Sequence, residues 1–395
     1  MLTGARQTGK TTLAKRKYKD LKYINLDAPE NREAMEKLNT AAWGKDIGNA
    51  VIDEAQKVPE VFEKIKYAYD EDLISFQFLL GSSQVLLLKK IRESLAGRIS
   101  IYEMWPLMMS EICRQADEAD IPLPLIDHIF SGEKIDHIFK DVPSFLLGEE
   151  ESLREEAEKH LLHWGGMPAL LPFNEEERWQ WLKDYEYTYL ERDLADLARL
   201  DDLQPFRKFQ KLSALRSAQL LNYSELARDA SLSVDSARRY LEYLRLSYQV
   251  VLVQPFYENI TSSVIKTPKL YWTDVGLLRQ LAGFKGEYSG QIYETMVVGE
   301  CIKWIRTTKK DSEIFFYRTR SGLELDLLLE TPKGIIGFEI KSRRELVVSD
   351  IKSMKEVASK LGARWQGGIV VYQGREIKKL SDPHIWAVPS RRLFV

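Results

Sequence analysis

The sequence predicts a multidomain α/β protein with four parts: an α/β domain, a helical connector, a helix-turn-helix domain and a second α/β domain. Over the first hundred residues, short apolar runs alternate with charged helical segments, the pattern of a parallel sheet covered on both faces. Between Pro106 and Gln219 the pattern becomes helical. Beyond Gly286 a helix is followed by four strand-like runs, which indicates a second sheet.

The predicted boundaries follow these changes in pattern. A chain of 395 residues that is 44% hydrophobic has enough apolar material for about two to four domains. We place the four parts at residues 1–110, 111–205, 206–285 and 286–395. The strands we expect are Tyr23–Leu26, Ala50–Asp53, Phe76–Leu80 and Ile99–Tyr102 in the first part, and Ile314–Tyr317, Glu324–Leu329, Ile335–Ile340 and Gly368–Tyr372 in the last.

Composition excludes several classes of protein. The net charge of −2 gives no overall basic field, so a nucleic-acid site would have to be a local patch. Cys113 and Cys301 form no CxxC pair, which argues against structural zinc and a disulfide framework. The sequence has no signal peptide and no apolar run of the roughly 20 residues that span a bilayer. We therefore expect a cytoplasmic protein with no membrane partner.

A phosphate-loop motif lies at the N-terminus. Residues 4–11, with Gly4, Gly9, Lys10 and Thr11 at the defining positions, match G-x-x-x-x-G-K-S/T. The glycines let backbone amides fold around the phosphates, the lysine reaches the β and γ oxygens, and the threonine hydroxyl binds Mg²⁺. The helix that starts at Thr11 and Thr12 adds its positive end. The cofactors predicted are ATP and Mg²⁺.

Two later strands end in residues that complete such a site. Ala50–Asp53 is an apolar strand followed by Glu54, so Asp53 is expected to hold the magnesium shell and Glu54 to polarise the attacking water. The strand at Phe76–Leu80 leads to Ser82 and Ser83, whose hydroxyls suit contact with water or the γ-phosphate. An acidic strand end and an ordinary loop start are the alternative interpretations.

These motifs and several later ones resemble a group of uncharacterised prokaryotic AAA-type ATPases whose C-terminal half is a domain of unknown function. The resemblance covers nearly the whole chain. It implies that Ser82 or Ser83 is the sensor position and that Arg98 stabilises transition-state charge, from a neighbouring subunit of a homo-oligomer. A solvated surface arginine is the alternative for Arg98. The matching segments are 53–59, 81–83, 93–98, 165–168, 189–193, 269–277 and 339–341.

The first strand departs from this group. Only Met1, Leu2 and Thr3 precede Gly4, whereas a phosphate loop normally follows a full buried strand. Two explanations are open: an N-terminal truncation, or weakened nucleotide binding.

The middle of the chain contains a helix-turn-helix pattern at residues 223–244. In its second helix an apolar stripe of Val234, Ala237, Leu241 and Leu244 faces the core, and Ser233 is a suitable N-cap. The residues left facing outward are Asp235, Ser236, Arg238, Arg239 and Glu242. Arg238 and Arg239 would contact DNA if this is a DNA-binding winged helix. A winged helix used only for packing is the alternative, since no basic stripe accompanies them.

A hairpin in the last part brings acidic residues together. Residues 331–334 form a turn sequence centred on Pro332 and Lys333, so paired positions sum to 665 and Asp326 falls opposite Glu339. Lys341, two residues on, shares the face. Two carboxylates and an ammonium suit a divalent metal and a scissile phosphate. A ladder on a solvated sheet face is the alternative.

This arrangement resembles the restriction-endonuclease fold shared by Holliday-junction resolvases. The resemblance implies that Glu294, on the preceding helix, joins Asp326, Glu339 and Lys341 at a nuclease metal site. The fold class predicted is therefore α/β, with a P-loop AAA-type domain, a helical connector, a winged helix and a restriction-endonuclease-like domain. The leading function is Mg²⁺-dependent ATP hydrolysis coupled to an action on DNA, with ATP and DNA as partners.

Two other functions are carried forward. One is an ATP-gated switch or interaction protein in which the nuclease fold is non-catalytic. The other is DNA binding without nucleotide hydrolysis, which the short first strand makes credible.

Overall fold

The computed structural model describes residues 1–81, 95–114, 123–190, 203–256 and 267–395. These residues form two compact units. The first unit contains Met1–Pro106 and Glu242–Gln249 together with residues 187–190, and the second contains Leu107–Glu186, residues 203–241 and Val250–Val395. In the described ranges, no helix has both the length and the apolar character needed to cross a membrane.

The first unit is built on parallel strands. β2, β3 and β4 form one three-stranded parallel sheet, and β1 pairs in parallel with β5. A parallel bridge between Leu2 and Leu80 joins β1 to the end of β4. The strands are β1 (Leu2–Gly4), β2 (Lys22–Asn25), β3 (Ala50–Asp53), β4 (Gln77–Leu79) and β5 (Tyr102–Met104).

Helices cover both faces of this sheet, as the alternating sequence pattern predicts. Successive side chains of β3 point to opposite faces: Ile52 packs in a cluster with Phe62, whereas Val51 packs in another with Ala14. The α-helices within residues 1–81 are α1 (Lys10–Lys17), α2 (Pro29–Lys37), α3 (Trp43–Asp46) and α4 (Glu60–Asp70).

The structure corrects the predicted position of one strand and shows that the short segment before the phosphate loop is a strand. The strand predicted at Ile99–Tyr102 is instead β5, Tyr102–Met104, because its register is set by pairing with Leu2–Gly4. The short segment before the phosphate loop does form a strand, and all three of its residues are buried. Thr3 is hydrogen-bonded to the hydroxyl of Tyr248, whose ring lies edge-on to Trp105 at 5.3 Å. These contacts anchor the loop's leading strand.

The second unit contains a nine-stranded mixed sheet in the order β13-β14-β12-β11-β10-β9-β7-β8-β6. β9, β10 and β11 are antiparallel neighbours, whereas β11, β12 and β14 run parallel. The strands are β6 (Gln219–Leu220), β7 (Val250–Pro255), β8 (Lys269–Trp272), β9 (Glu313–Arg318), β10 (Glu324–Thr331), β11 (Gly334–Lys341), β12 (Trp365–Tyr372), β13 (Lys378–Ser381) and β14 (Ile385–Pro389). All four predicted strands of this region are present, and β13 and β14 were not predicted.

The helices of the second unit fall into three groups along the chain. The first group is α5 (Met109–Ile112), α6 (Leu125–Phe130), α7 (Ile135–Lys140), α8 (Glu149–Trp164) and α9 (Glu175–Tyr185). The second is α10 (Gln204–Leu215), α11 (Tyr223–Ala230) and α12 (Val234–Leu246), of which residues 242–246 are grouped with the first unit. The third is α13 (Val275–Ala282), α14 (Gly290–Thr308), α15 (Lys352–Leu361) and α16 (Ser390–Leu393).

The helix-turn-helix pattern forms as two helices, α11 and α12. Ala237, Leu241 and Leu244 are buried, Val234 is half-buried, and Tyr240 is a buried member of the stripe that was not predicted. The hydroxyl of Ser233 accepts a hydrogen bond from the amide of Ser236 at 3.1 Å, which is the predicted N-cap. The antiparallel strands β6, β8 and β7 accompany these helices.

The hairpin register is as predicted. Leu327 pairs with Phe338 and Thr331 with Gly334, so each pair sums to 665. The hydroxyl of Thr331 donates to the Gly334 carbonyl at 3.0 Å and closes the turn.

Glycines in two of the family-like motifs serve the fold. Gly165 has φ +76, and a Cβ there would lie 2.2 Å from a carboxylate oxygen of Asp274. That carboxylate is buried and accepts hydrogen bonds from the amides of Gly166 at 2.7 Å and Leu277 at 2.9 Å. A Cβ on Gly276 would lie 2.0 Å from the Trp164 carbonyl. The segments 165–168 and 269–277 therefore pack the end of α8 closely against the start of α13.

Candidate functional site

The phosphate loop connects β1 directly to α1. Gly4 has φ +149, and a Cβ there would lie 2.1 Å from the carbonyl oxygen of Met104, so this close approach to β5 requires glycine. Gly9, the residue before α1, has φ +98. The loop therefore bends sharply at both defining glycines and delivers the chain into a helix N-terminus, where backbone amides and the helix dipole favour an anion.

Lys10 and Thr11 place two functional groups at the start of α1. The ammonium of Lys10, which is 8% exposed, donates to the carbonyls of Gly4 at 3.0 Å and Ala5 at 2.6 Å. The hydroxyl of Thr11 donates to Oδ2 of Asp53 at 2.7 Å. The threonine and aspartate from two distant motifs are thus in direct contact. Thr12 follows on the exposed side of the helix.

Asp53 and Glu54 lie at the C-terminal end of β3. Asp53 is buried and accepts a second hydrogen bond on Oδ2 from the hydroxyl of Tyr23, at 2.6 Å. Glu54 has a left-handed backbone, φ 54 and ψ 41, which is uncommon for a non-glycine residue and is characteristic of functional sites. Burial raises the pKa of Glu54, Arg6 opposes the shift and Asp53 adds to it.

Tyr23 is a site residue that the sequence analysis missed. It lies on β2, next to β3, and is paired with Val51. Burial and the hydrogen bond to Asp53 raise the pKa of its hydroxyl, so it stays a donor. The sequence does indicate Tyr23 indirectly. It lies in the predicted strand before Ala50–Asp53, and residues of a neighbouring parallel strand lie close to the Asp53 carboxylate.

The oxygen and ammonium groups of this site suit Mg²⁺ and a nucleotide phosphate. Hydroxyl and carboxylate oxygens are the hard ligands that Mg²⁺ prefers, and an ammonium beside a helix N-terminus suits phosphate oxygens. Lys10, Thr11 and Asp53 provide these groups within one hydrogen-bonded cluster.

Arg98 does not belong to this cluster within the chain. It precedes β5, at the edge of the sheet where the parallel strands begin, whereas the phosphate loop follows the opposite end of β1. Its Nε donates to Asp70, at the end of α4, at 2.6 Å. Within its own chain Arg98 therefore lies away from the loop, and its predicted action from a neighbouring subunit stays a prediction. The predicted sensor residues Ser82 and Ser83, and residues 191–193 of the family-like motifs, lie outside the described residues.

A second polar cluster lies in the second unit around the predicted carboxylates. Asp326 on β10 reaches the backbone of β11, where its Oδ2 accepts a hydrogen bond from the amide of Ile340 at 2.8 Å. Glu339 and Lys341 on β11 form an ion pair. The backbone pairing between β10 and β11 runs from Leu327 to the turn. Beyond its end, the side chain of Asp326 instead of a backbone carbonyl accepts the hydrogen bond from β11.

Lys269, Lys341 and Tyr271 contact the carboxylates of this cluster. Lys269 was not predicted as a site residue. Lys269 on β8 is 3% exposed, and its Nζ lies 3.2 Å from Oε1 of Glu294 and 2.9 Å from Oε1 of Glu324. The hydroxyl of Tyr271, two residues along the same face of β8, donates to Glu294 at 2.7 Å. The sequence signal was the single lysine in the apolar run of β8, since a buried lysine requires acidic partners.

The electrostatics of the cluster are those of crowded carboxylates. Burial and repulsion from Asp326 raise the pKa of Glu294 to about 7 and that of Glu339 to about 8. Burial also raises the pKa of Asp326, against the attraction of Lys269. Over the described ranges, no group of three or more His, Cys, Asp or Glu side chains is arranged to hold a metal ion. The predicted acids are neighbours, but lysines neutralise them.

The helix-turn-helix arginines are exposed as predicted. Arg238 and Arg239 face outward from α12, and the Arg238 guanidinium lies 5.5 Å from the centroid of the Tyr223 ring. Asp235 and Glu242 are exposed on the same helix, so its surface charge is mixed.

Three protein families match successive parts of the chain. Residues 1–113 match the AAA domain, residues 155–288 match a domain of unknown function (DUF8612), and residues 289–393 match another (DUF4143). The first match agrees with the geometry above and supports an AAA-type P-loop domain over residues 1–113. The other two families are domains of unknown function and indicate no activity.

The curated relatives are uncharacterised. One protein from Mycobacterium bovis and one from Mycobacterium tuberculosis are each 27% identical over 403 residues, covering 100% of this chain and 80% of theirs. A protein from Methanocaldococcus jannaschii is 24% identical over 323 residues, covering 79% of this chain and 64% of its own.

Solved structures add little. Cdc6p from Pyrobaculum aerophilum is 12% identical, with coverage of 75% of this chain and 86% of its own and a TM-score of 0.23. A Vibrio cholerae protein is 12% identical, with coverage of 94% and 87% and a TM-score of 0.18. At such TM-scores, neither alignment supports an argument about fold or function.

Proposed function

We propose that this chain is a Mg²⁺-dependent ATPase whose active site is the phosphate loop. The observation that supports the proposal most strongly is the hydrogen bond from Thr11 to Asp53, 2.7 Å long. It brings together the two side chains that hold Mg²⁺ in P-loop enzymes, beside the lysine for the phosphates. Glu54 follows immediately.

Each residue has a distinct role in this proposal. Lys10 leaves the loop carbonyls to contact the β- and γ-phosphates, and Thr11 and Asp53 orient the Mg²⁺ shell. Gly4, Gly9 and Thr12 shape the loop and the start of α1. Glu54 accepts a hydrogen bond from the attacking water and orients it, and its raised pKa favours proton uptake. Arg98 would act only on the nucleotide of a neighbouring subunit in a homo-oligomer, with Ser82 as the sensor.

The test is ATP hydrolysis by the full chain with Mg²⁺, with and without DNA, compared with two variants. Lys10→Ala removes the phosphate ligand, and Lys17→Ala removes an exposed lysine at the end of the same helix. We expect Lys10→Ala to lose at least about a hundredfold in rate, as removal of a preorganised charge contact does, and Lys17→Ala to keep it. Equal rates in all three proteins would remove the proposal.

Oligomer size and DNA binding, measured beside ATP hydrolysis, separate the three candidate functions. Stimulation of hydrolysis by DNA would support an ATPase that acts on DNA. A nucleotide-dependent change in oligomer size without DNA stimulation would support the ATP-gated switch. DNA binding with no nucleotide affinity would support the third function, DNA binding without hydrolysis.

A second proposed activity is metal-dependent cleavage of DNA by the C-terminal domain, with a restriction-endonuclease-like fold. The observation that favours it is the meeting of Glu294 from α14, Asp326 from β10, and Glu339 with Lys341 from β11. Three carboxylates can hold a divalent cation once Lys269 moves away from Glu294, and Lys341 can then turn from Glu339 to a phosphate. The strand and helix order, α14-β9-β10-β11-α15-β12, is compatible with that fold.

Cleavage is tested by incubating supercoiled plasmid with the full chain and Mg²⁺ or Mn²⁺. Nicking that disappears in Asp326→Ala and persists in Asp311→Ala, an exposed aspartate before β9, would support a nuclease. Intact plasmid under all conditions would leave the domain as a non-catalytic module of the ATPase.

A winged helix formed by α10 to α12 with β6 to β8 is the proposed DNA contact. Arg238 and Arg239 are exposed on the outward face of the second helix, the place from which such helices reach phosphates and base edges.

A further inference from the structure

A cavity of about 730 Å³ in the second unit lies between α9 and the end of α13. Its charged and aromatic lining is Glu175, Glu176, Trp179, Lys183, Arg279 and Lys285. None of these residues belongs to the phosphate loop or to the carboxylate cluster. The cavity therefore belongs to neither proposed active site.

Arg279 is the unusual member of this lining. It is 1% exposed, and its Nη2 donates to the carbonyl of Gly286 at 2.6 Å. Its Nε and Nη1 have no hydrogen-bond partner, and no carboxylate pairs with it in the described ranges. Burial lowers the pKa of the guanidinium, with no acidic neighbour opposing the shift. The side chain remains charged, since arginine does not deprotonate in proteins.

A buried guanidinium without a counter-ion is costly, and proteins normally pair such a group. A purely structural role, capping the Gly286 carbonyl, would use one of its five N–H donors. Arg279 also lines a cavity with room for a small molecule, although its two unpaired nitrogens have almost no accessible surface. An oxyanion in the cavity would supply the missing counter-charge, and a small rotation of the guanidinium towards it would give the two parallel hydrogen bonds that this group favours.

The rest of the lining limits the size and charge of the ligand. Lys183 and Lys285 are exposed and add positive charge, whereas Glu175 and Glu176, in the first turn of α9, are also exposed and oppose it. The balance of three cations against two acids favours a ligand with one or two negative charges over a polyanion such as nucleic acid. Trp179 offers an apolar face beside the charged groups.

We infer that Arg279 anchors a binding site for a small molecule that carries a carboxylate or phosphate group. The ligand's oxyanion pairs with the guanidinium, Lys183 and Lys285 attract it, and its remaining atoms lie along Trp179.

The test is a titration of the full chain with inorganic phosphate and, separately, with acetate, followed by tryptophan fluorescence and melting temperature. The chain carries Lys10→Ala so that phosphate bound at the loop does not contribute. A saturable change is expected with at least one anion, and the arm that responds identifies the oxyanion class. Substituting Trp179→Phe should remove the fluorescence change and leave the anion-dependent rise in melting temperature.

Arg279→Gln should weaken the anion's affinity at least about tenfold, the loss expected for a charge-assisted hydrogen bond. Lys355→Ala, an exposed lysine on α15, is the matched control and should bind as the parent does. If Arg279→Gln does not fold, the double variant Lys183→Ala/Lys285→Ala must still weaken binding several-fold. No saturable change with either anion, or equal affinity in Arg279→Gln or in the double variant, would overturn the inference.

Discussion

The phosphate-loop site and the carboxylate cluster are both polar, but they are stabilised in opposite ways. At the loop, Lys10 and Thr11 hydrogen-bond to backbone carbonyls and to one carboxylate, and Glu54 remains half-exposed. In the cluster, Lys269 and Lys341 lie against Glu294, Glu324 and Glu339. The first site is built mainly from hydrogen bonds to backbone and hydroxyl groups, whereas the second pairs its carboxylates with lysines.

The two sites contribute differently to the stability of the fold. Lys10, Thr11 and Asp53 lie at the ends of parallel strands and at a helix N-terminus. There they can exchange contacts within the protein for contacts with a ligand, and the strand pairing of the sheet is unchanged. The cluster joins β8, α14, β10 and β11 through buried charges, and removal of one partner leaves a charge uncompensated. Substitutions should therefore affect function at the loop and stability in the cluster.

The largest effect should follow from Lys269→Met. Loss of the buried ammonium removes the cation beside Glu294 and leaves Glu324 with Arg318 alone. We expect the free energy of unfolding to fall by about 3 kcal/mol, the scale for breaking a buried ion pair. Chemical denaturation of the full chain measures it. Lys355→Ala, which is exposed, should stay within about 0.5 kcal/mol. A Lys269→Met protein as stable as the parent would break the comparison, because the cluster would then not depend on its lysine.

The stability of the second unit should also depend on pH. The pKa values of Glu294 and Glu339 are raised to about 7 and about 8, so between the ordinary value of 4.5 and these values the folded state holds more protons than the unfolded state. The free energy of unfolding therefore falls as pH rises through this window. Melting temperatures measured across it should decline. Glu339→Gln, which mimics the protonated acid, should flatten the decline, and the exposed Glu345→Gln should not.

A smaller effect is expected from Tyr23→Phe at the loop. The change removes one hydrogen bond to Asp53, which contributes about 1 kcal/mol, so about five times more Mg²⁺ should be needed for half-maximal ATP hydrolysis. Folding should be unaffected. Tyr67→Phe, at an exposed tyrosine on α4, is the control. An unchanged Mg²⁺ requirement would mean that Tyr23 does not position Asp53.

The smallest effect per residue should come from Arg238→Ala and Arg239→Ala, which lie in neither site. If both contact phosphates, each substitution should lower the slope of DNA affinity against salt concentration by about 1. Fluorescence anisotropy at several salt concentrations measures the slope. Arg320→Ala, an exposed arginine after β9, should leave it unchanged. Unaltered slopes in both variants would favour a winged helix that only packs.

The two sites also differ in how far the sequence predicts them. The loop site lies in two short motifs, residues 4–12 and 53–54, and their spacing alone predicts a site at Lys10, Thr11, Asp53 and Glu54. The structure brings Thr11 and Asp53 into contact. The hairpin register was predictable because a two-residue turn fixes which positions pair. Both cases depend on local geometry.

The missed features depend on contacts between distant segments. Lys269, Tyr271 and Glu324 join the cluster through strand neighbours that no motif specifies, and Tyr23 reaches Asp53 because β2 lies beside β3. β5 begins later than predicted because pairing with β1 sets its register, not apolar character.

The central claim is that the loop groups bind Mg²⁺–ATP and that Glu54 acts in the chemical step. The most direct measurement compares ATP affinity and single-turnover hydrolysis for the parent chain and Glu54→Gln. We predict that the variant binds ATP within about threefold of the parent and hydrolyses it at least about a hundredfold more slowly, since loss of a positioned base costs about that much. Equal rates of hydrolysis in the two proteins, or no ATP binding by the parent, would contradict the account.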